Sequence, residues 1–250
     1  MHYRLGKHLQ DQALTLLLFD KTHLKLAVSF HLFYKQNTLD MNNVAQYDLI
    51  IIGGPIYAGN VPEKLIKWVL RTIPKSTTGK TILFTTSAGL LNANGTISLA
   101  KKLSKKGYSI LGLLKYKLPR NYYFDKYERP TEEEIVQLFK DVKNLIPEDL
   151  NKLSNSEGLE ISQRVLGMDL LAETMSIMTR FMGKSFSVNN NCTKCKKCVN
   201  SCPTNNIVLK ETISFKLHCM MCTRCIHSCP ENAIEYKGKK VIQYKYKNQQ

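Results

Sequence analysis

The sequence predicts an α/β protein in which a doubly wound parallel sheet is followed by a small α+β domain. Two observations predict the sheet: continuous apolar runs that end in glycine or proline, and amphipathic segments of helical length between them. A third observation predicts the second domain, because all eight cysteines lie in the last quarter of the 250 residues. The predicted boundaries are 1–150 for the sheet domain, 151–188 for a linker and connecting helix, and 189–250 for the cysteine domain with a basic tail.

The elements of the sheet domain follow from buried runs and from the residues that end them. Residues 48–57 form an apolar run closed by glycines and a proline, as expected where a buried parallel strand ends in a loop. Pro62 begins a helix, since proline suits the first helical turn. The same pattern continues with a strand at 81–85, a helix at 97–106, a strand at 108–115 and a helix at 131–144. Ligands of such sheets bind beyond the carboxyl ends of the strands, here the loops at 53–60 and 85–95.

The cysteines form two copies of one motif, C-x2-C-x2-C-x3-C-P, offset by 27 residues. Three thiolates at this spacing suit one iron–sulfur cube, and in two-cluster proteins the fourth cysteine of each run ligates the other cluster. The motif therefore predicts two [4Fe–4S] clusters. Their ligand sets are Cys192, Cys195, Cys198 and Cys229 for the first, and Cys219, Cys222, Cys225 and Cys202 for the second. The repeat also predicts two similar halves that face each other, which makes crossed ligation geometrically feasible.

Zinc and disulfide bonds are the alternative uses of these cysteines. Structural zinc sites take four ligands as separated pairs, which three cysteines at this spacing fit badly. Disulfides would require export, but the start of the chain has an apolar run of only seven residues, from Ala13 to Phe19, and no cleavage site of small residues. We therefore expect a cytoplasmic protein in a reducing compartment, and the oxygen sensitivity of exposed clusters favours an anaerobic organism. No apolar stretch approaches the roughly 18 residues of a membrane span.

The chain is strongly basic, with 36 Lys and Arg against 20 Asp and Glu and a formal net charge of +16. Each oxidised cluster with four thiolates carries about −2, which brings the loaded protein to about +12. Much of the excess lies within the cysteine motifs, at Lys194, Lys196, Lys197 and Arg224. Such a rim predicts an acidic redox partner, or tunes the potential by stabilising reduced clusters. A merely solvated surface is the alternative, and nucleic-acid binding is disfavoured because no motif of that class accompanies the charge.

Three features resemble the flavodoxin–ferredoxin fusion proteins of anaerobes: DLIIIGGPIYAGNVPEKLIKWV at 48–69, LPRNYY at 118–123, and a C-terminal twin-cysteine module after a helical linker. The resemblance spans residues 45–240. It implies a flavodoxin-like domain that holds FMN near the two clusters. By position, it implies flavin contacts on one side of the ring from Pro55, Tyr57 and Ala58, and on the other side from Ser87, Ala88 and Gly89.

The chain departs from that family at its start. Family members begin with a buried strand that leads into a Ser/Thr-Gly-Thr-Gly-Asn-Thr loop, whose backbone N–H groups bind the FMN phosphate. This sequence has no such loop, since residues 3–10 predict the helix that would follow it and the first strand is missing. An alternating strand at 24–32 is predicted to fill part of the gap. The flavodoxin-like domain therefore lacks the first strand and the phosphate loop, and the sequence leaves open whether it binds FMN.

Residues 151–158 predict a polar linker, and residues 161–181 predict a helix with a wide, methionine-rich apolar face. We expect this face to pack against the flavodoxin-like domain, because a tether between redox domains has to fix the transfer distance. The function expected from these features is one-electron transfer between redox partners. Two alternatives stay open: a flavin-dependent oxidoreductase that acts on a small substrate at the Tyr57 loop, and a binding or regulatory module that the clusters stabilise.

Overall fold

The structure is a computed structural model, and it describes residues 14–19, 27–31, 49–57, 61–89, 96–124, 127–154 and 168–244. Within these residues the chain divides into two compact units. The first contains the described residues of 13–120 and 130–172, and the second contains those of 121–129 and 173–250. The second unit thus includes an inserted segment, residues 121–129, and the chain passes between the units at 172/173, whereas the sequence predicted domain boundaries at 150 and 188.

The first unit is built on a five-stranded sheet in the order β2-β1-β3-β4-β5. Its strands are β1 (Leu14–Phe19), β2 (Ala27–His31), β3 (Leu49–Pro55), β4 (Lys80–Ser87) and β5 (Ser109–Lys117). The last three strands run parallel, whereas β1 is antiparallel to both of its neighbours. The predicted wholly parallel sheet is therefore wrong in this respect: the sheet is mixed, with a parallel part of three strands.

The direction of β1 decides where its following loop lies. Phe19 at the end of β1 pairs with Leu49 at the start of β3, and Thr15 pairs with Gly53. A flavin phosphate would bind at the carboxyl ends of β3 and β4. The loop after β1 begins at the opposite edge of the sheet. The strand predicted at 24–32 corresponds to β2, and the helix predicted at 3–10 lies outside the described residues.

Two helices connect the parallel strands and cover one face of the sheet. They are α1 (Glu63–Thr72) and α2 (Ile97–Ser104). Crossovers of one hand between the successive strands β3, β4 and β5 place both helices on the same side. The core on this face contains apolar side chains from both helices and all three strands, including Ile50, Ile52, Leu65, Val69, Leu83, Leu99, Leu103 and Leu113.

A third helix, α3 (Glu132–Ser154), lies on the other face. Strand alternation turns Phe84 and Tyr116 away from the core of α1 and α2, and their ring centroids are 6.0 Å apart. The Tyr116 hydroxyl donates a hydrogen bond to Asp149 of α3 at 3.0 Å. The helix starts at the predicted capping residue, Thr131, but continues to Ser154, so the first residues of the predicted linker are helical.

The helix α4 (Met168–Met182) leads into the cysteine domain. Five of its apolar side chains are exposed: Leu170, Met175, Ile177, Met178 and Phe181. The packing of this face against the flavodoxin-like domain stays a prediction. The buried Thr179 of the same helix directs its hydroxyl at the carbonyl of Cys219 at 3.5 Å. Among the described residues, no helix combines the length and the apolar character that crossing a membrane would require.

The cysteine domain consists of two equivalent halves. The first contains β6 (Phe186–Val188), α5 (Lys197–Ser201) and β7 (Ile207–Leu209), and the second contains β8 (Ile213–Phe215), α6 (Arg224–His227) and β9 (Ile234–Tyr236). Each half closes on the other, since β7 pairs with β8 and β9 pairs with β6, both antiparallel. A short strand, β10 (Lys239–Lys240), extends the second pair. The sequence repeat thus appears as two interlocked halves.

Candidate iron–sulfur centres

Two cavities in the cysteine domain are lined by four cysteines apiece. The first is lined by Cys192, Cys195, Cys198 and Cys229, and the second by Cys219, Cys222, Cys225 and Cys202. Each cavity therefore takes three cysteines from one run and the fourth from the other. These are the two sets that the spacing of the motif predicted as ligand sets.

Left-handed turns place the first three cysteines of each run around its cavity. Lys194 and Lys196 have φ angles of 55° and 61°, and the equivalent residues of the second run, Met221 and Thr223, have 54° and 56°. This backbone conformation costs a residue with a side chain about 1–2 kcal/mol. Its recurrence at equivalent positions indicates that the arrangement of the cysteines imposes it. Turns of this kind direct successive backbone N–H groups toward one point, where they stabilise negative charge.

Backbone N–H groups also hold the fourth cysteine of each run. The N–H of Asn206 donates to the sulfur of Cys202 at 3.2 Å, and that of Ala233 donates to the sulfur of Cys229 at 3.4 Å. In both halves the donor follows an asparagine in left-handed backbone, which asparagine tolerates better than most residues. These N–H groups direct the positive ends of their dipoles at the two sulfurs, as suits sulfurs that ligate iron.

Burial opposes the thiolate form at several of the other cysteines. Burial, with a smaller contribution from neighbouring cysteines, raises the pKa of Cys198 to about 11 and the pKa of Cys219 to about 12. Burial also raises the pKa of Cys222 and Cys225. Four thiolates in one cavity therefore require a compensating positive charge, which the irons of a cluster would supply.

The spread of the cysteines distinguishes a cluster from a single ion. Within the described ranges, no group of three or more His, Cys, Asp and Glu side chains converges on a point that could hold one metal ion. A structural zinc site would require four ligand atoms within about 2.3 Å of one ion. The cysteines instead surround a cavity, and a cube that offers one iron to each sulfur fits that arrangement. The donor set and its spacing favour [4Fe–4S] over zinc.

The surroundings of the first cavity are open and basic. Cys195 is exposed, and the lysines on either side of it line the cavity: Lys194, Lys196 and Lys197, all exposed. A cluster at this site would lie near solvent. Positive charge around it would favour the reduced, more negative state.

The residues that line the second cavity are more buried than those of the first. Phe186, Phe215 and Met220 form part of its wall, and Cys222 is buried. Arg224 is only 6% exposed, and its guanidinium faces the carbonyl of Ser201 in the other half at 3.4 Å. The nearby His227 has its pKa lowered by burial, which favours a neutral ring. A cluster at this site would be largely shielded from water.

The structure brings the two predicted flavin loops side by side. Pro55 at the end of β3 pairs with Thr86 near the end of β4, and the N–H of Ile56 donates to the Thr86 carbonyl at 2.9 Å. The remaining candidates follow these strand ends: Tyr57, Ser87 and Ala88 are partly buried, Gly89 is exposed, and Ala58 lies outside the described residues. The flavin contacts themselves stay a prediction.

Gly53 and Gly54, at the end of β3, pack closely against other residues of the sheet unit. A Cβ atom on Gly53 would lie 1.9 Å from the ring of Phe84, and one on Gly54 would lie 2.7 Å from the side chain of Leu65. Packing against the Phe84 ring thus requires a glycine at position 53, whether or not the loop binds a ligand. At Gly54 only the end of the Leu65 side chain would have to move.

The place of the inserted segment was not predicted from the sequence. Its aromatic residues lie in the cysteine domain, where Tyr123 contacts Tyr244 and Phe124 contacts Tyr236, in both cases with ring centroids 4.8 Å apart. The available signal was the density of aromatic residues at 122–127, between an apolar strand and an acidic helix start. Aromatic residues outside any predicted element need a core elsewhere.

Comparison with known proteins agrees with this description of the C-terminal part. Residues 171–247 match the family model of the 4Fe-4S dicluster domain. The match begins within α4 and includes both cysteine runs and both cavities. No curated protein and no solved structure matches the chain. The family match supports a C-terminal ferredoxin-like domain that binds iron–sulfur clusters, while the flavodoxin-like character of the N-terminal part stays a prediction.

Proposed function

We propose that this protein transfers single electrons between redox partners through two [4Fe–4S] clusters with crossed ligands. The observation that carries the proposal is the pair of cavities, each lined by three cysteines of one run and the fourth of the other. The match to the 4Fe-4S dicluster domain supports the iron–sulfur chemistry. Two clusters in one small domain would lie close enough to exchange electrons.

The residues of the chain have separable tasks in this function. A [4Fe–4S] cluster, when bound, accepts and releases one electron. The eight cysteines hold the irons, and the N–H groups of Asn206 and Ala233 stabilise the thiolates of the two crossing ligands. The aromatic wall formed by Phe186 and Phe215 excludes water from the second cavity. The lysines at the first cavity offset negative charge and leave that site accessible.

The same lysines suggest where a partner binds. Cys195 is the exposed cysteine of the first set, and three exposed lysines surround it. A partner with an acidic patch around its own redox centre would be attracted to this face and would bring that centre close to the cluster. We therefore propose an acidic redox protein as the partner and the first cluster as its contact.

The test is quantitation of iron and acid-labile sulfide in the full-length protein after anaerobic reconstitution. The proposal predicts about eight irons per chain and visible absorbance that bleaches reversibly on reduction. About four irons per chain would contradict the two-cluster proposal. Unfolding on reduction would instead favour a module in which the clusters are purely structural.

A flavin-dependent oxidoreductase is the second candidate, favoured by the adjacent carboxyl ends of β3 and β4. The antiparallel direction of β1 argues against it, because no phosphate loop follows a parallel strand at that position in the described sheet. Flavin released on denaturation in a 1:1 ratio to protein would support this candidate. Protein that contains only cluster absorbance after incubation with FMN and desalting would rule it out.

A further inference from the structure

The inserted segment contacts the backbone of the second cysteine run through Asn121. The side-chain amide of Asn121 donates a hydrogen bond to the carbonyl of Cys222 at 3.3 Å. The carbonyl of Asn121 accepts a hydrogen bond from the hydroxyl of Thr223 at 3.2 Å and lies 3.1 Å from Nε2 of His227. One residue thus makes three polar contacts with a run that lies about a hundred positions later in the chain.

These contacts hold a turn that has an open counterpart in the same molecule. Thr223 is 1% exposed and has a left-handed φ of 56°, and its hydroxyl also contacts the carbonyl of Cys222 at 2.8 Å. The equivalent residue of the first run, Lys196, has nearly the same φ, at 61°, but is exposed. The backbone of the two turns is therefore alike, and the inserted segment is what covers the second.

Aromatic side chains fix the segment in place. The ring of Tyr123, which is 6% exposed, packs on Tyr244, and the ring of Phe124 packs on Tyr236. Tyr236 in turn contacts Phe186 with ring centroids 5.1 Å apart, and Phe186 lines the second cavity. These edge-on and tilted ring contacts connect the segment to the cavity wall, which gives Asn121 a defined position relative to that wall.

We propose that Asn121 is a positioning residue for the second cluster, and that the inserted segment both shields this cluster from solvent and sets its reduction potential. This inference rests on the proposed function, since it requires that the cluster is bound. The amide of Asn121 directs the positive end of its dipole at the Cys222 carbonyl, next to the cluster ligand. It therefore stabilises the additional negative charge of the reduced state.

The test is an anaerobic redox titration of the reconstituted full-length protein, followed by electron paramagnetic resonance. Asn121→Leu removes the side-chain donor to Cys222 at similar volume. Thr223→Val removes a different link to the segment, the hydroxyl that contacts the carbonyls of Asn121 and Cys222. At a fixed potential, we expect the ratio of reduced to oxidised second cluster to fall about fivefold in Asn121→Leu, as loss of one hydrogen bond predicts. The signal of the first cluster should be unchanged. Asn200→Leu, the same exchange at an exposed position of α5, is the matched control and should shift neither cluster.

The two signals are assigned with Lys194→Glu, which changes the charge beside the first cavity only. The inference would be overturned if the reduction potential of the second cluster were unchanged in both Asn121→Leu and Thr223→Val. It would also be overturned if either substitution shifted the potentials of both clusters equally. If Asn121→Leu does not retain its iron, the potential measured in Thr223→Val decides the matter. Wild-type protein that binds fewer than two clusters would overturn the proposed function instead, so the two failures are distinguishable.

Discussion

The first and second cysteine runs have the same spacing and left-handed residues at equivalent positions, but different surroundings. The first run has exposed lysines between its first three cysteines. The residues at the equivalent positions of the second run are buried: Met221, Thr223 and Arg224. The inserted segment covers the second run through Asn121. A sequence repeat can thus fix the geometry of the ligands while the residues between the ligands set solvent access and charge.

This difference predicts different tasks for the two sites. The first cavity is open and basic, which suits exchange with an acidic partner, and the second is enclosed by aromatic and hydrogen-bonded residues. Burial penalises the extra negative charge of a reduced cluster, while nearby solvent and positive charge favour it. The first cavity is lined by three lysines and one carboxylate, Glu231, which leaves a net positive charge beside solvent, whereas the second site has one buried arginine. The first cluster should therefore have the higher reduction potential.

The largest expected effect is the loss of one cluster when a crossing ligand is removed. Cys202→Ala should abolish the second cluster and retain the first, and Cys229→Ala should do the reverse, because each fourth cysteine lines the cavity of the other run. Iron content should fall to about four per chain in both variants. The surviving signal is identified by whether Lys194→Glu shifts it. If Cys202→Ala eliminates the first cluster, the ligands are not crossed.

A clash at the second site should affect that site alone. A Cβ atom on Gly183 would lie 2.1 Å from the Cβ of Cys219, so Gly183→Ala forces the second run to move. We expect a loss of about 1–3 kcal/mol in unfolding free energy, as for overpacked cores, and faster loss of the second cluster to a chelator. Gly89→Ala is the control, since an added Cβ would meet no atom within 4 Å. Equal loss of both clusters in Gly183→Ala would count against independent sites.

Reversing the charge at the first site should slow electron transfer to an acidic partner. The double variant Lys194→Glu/Lys197→Glu replaces two exposed lysines beside Cys195. With a flavodoxin as the acidic acceptor, stopped-flow measurement should show a rate about tenfold lower at low ionic strength. The difference should shrink in high salt because exposed charges are screened. A rate that is unaffected by the substitutions at low salt would remove the lysines from the docking surface.

The smallest effect on the clusters is expected from a change in the sheet unit. Tyr116→Phe removes the hydrogen bond to Asp149 and should lower the free energy of unfolding by about 1 kcal/mol. Burial raises the pKa of Tyr116 above its usual value of 10, so the unfolded state ionises first and wild-type stability is lost as pH rises above about 10. The variant should lack the contribution of Tyr116 to this loss in urea unfolding, while that of the buried Tyr108 remains. Both cluster potentials should be unchanged. A shift of either potential would contradict the claim that the residues around each cavity set the potential of its cluster.

The parts predicted from the sequence are those set by local pattern. The strand β3 lies within the apolar run from 48 to 57, and β4 contains the apolar run at 81–85. Continuous apolar residues that end in glycine or proline are typical of a buried strand. The cysteine sets of the two cavities likewise follow from ligand spacing and from the general rule of crossing. In both cases neighbouring residues carry the information.

The parts that escaped prediction depend on contacts between distant residues. No strand was predicted at 14–19, where the structure has β1, and the direction of β1 is fixed by pairing with β3, which no local pattern reveals. The contact of Asn121 with Cys222 spans about a hundred residues, so neither residue indicates the other. Thr179 of α4 lies 3.5 Å from the carbonyl of Cys219, forty positions later, and no local pattern indicates that contact.

The most direct test of the account is an anaerobic redox titration of the reconstituted full-length protein, with both clusters followed by electron paramagnetic resonance. We expect two one-electron steps at different potentials, one for each cluster. Lys194→Glu should lower the higher one, which belongs to the exposed first site, and Asn121→Leu should lower the other. A single one-electron step, or two clusters that respond identically to both substitutions, would contradict the central claim that one repeated motif forms two distinct electron-transfer sites.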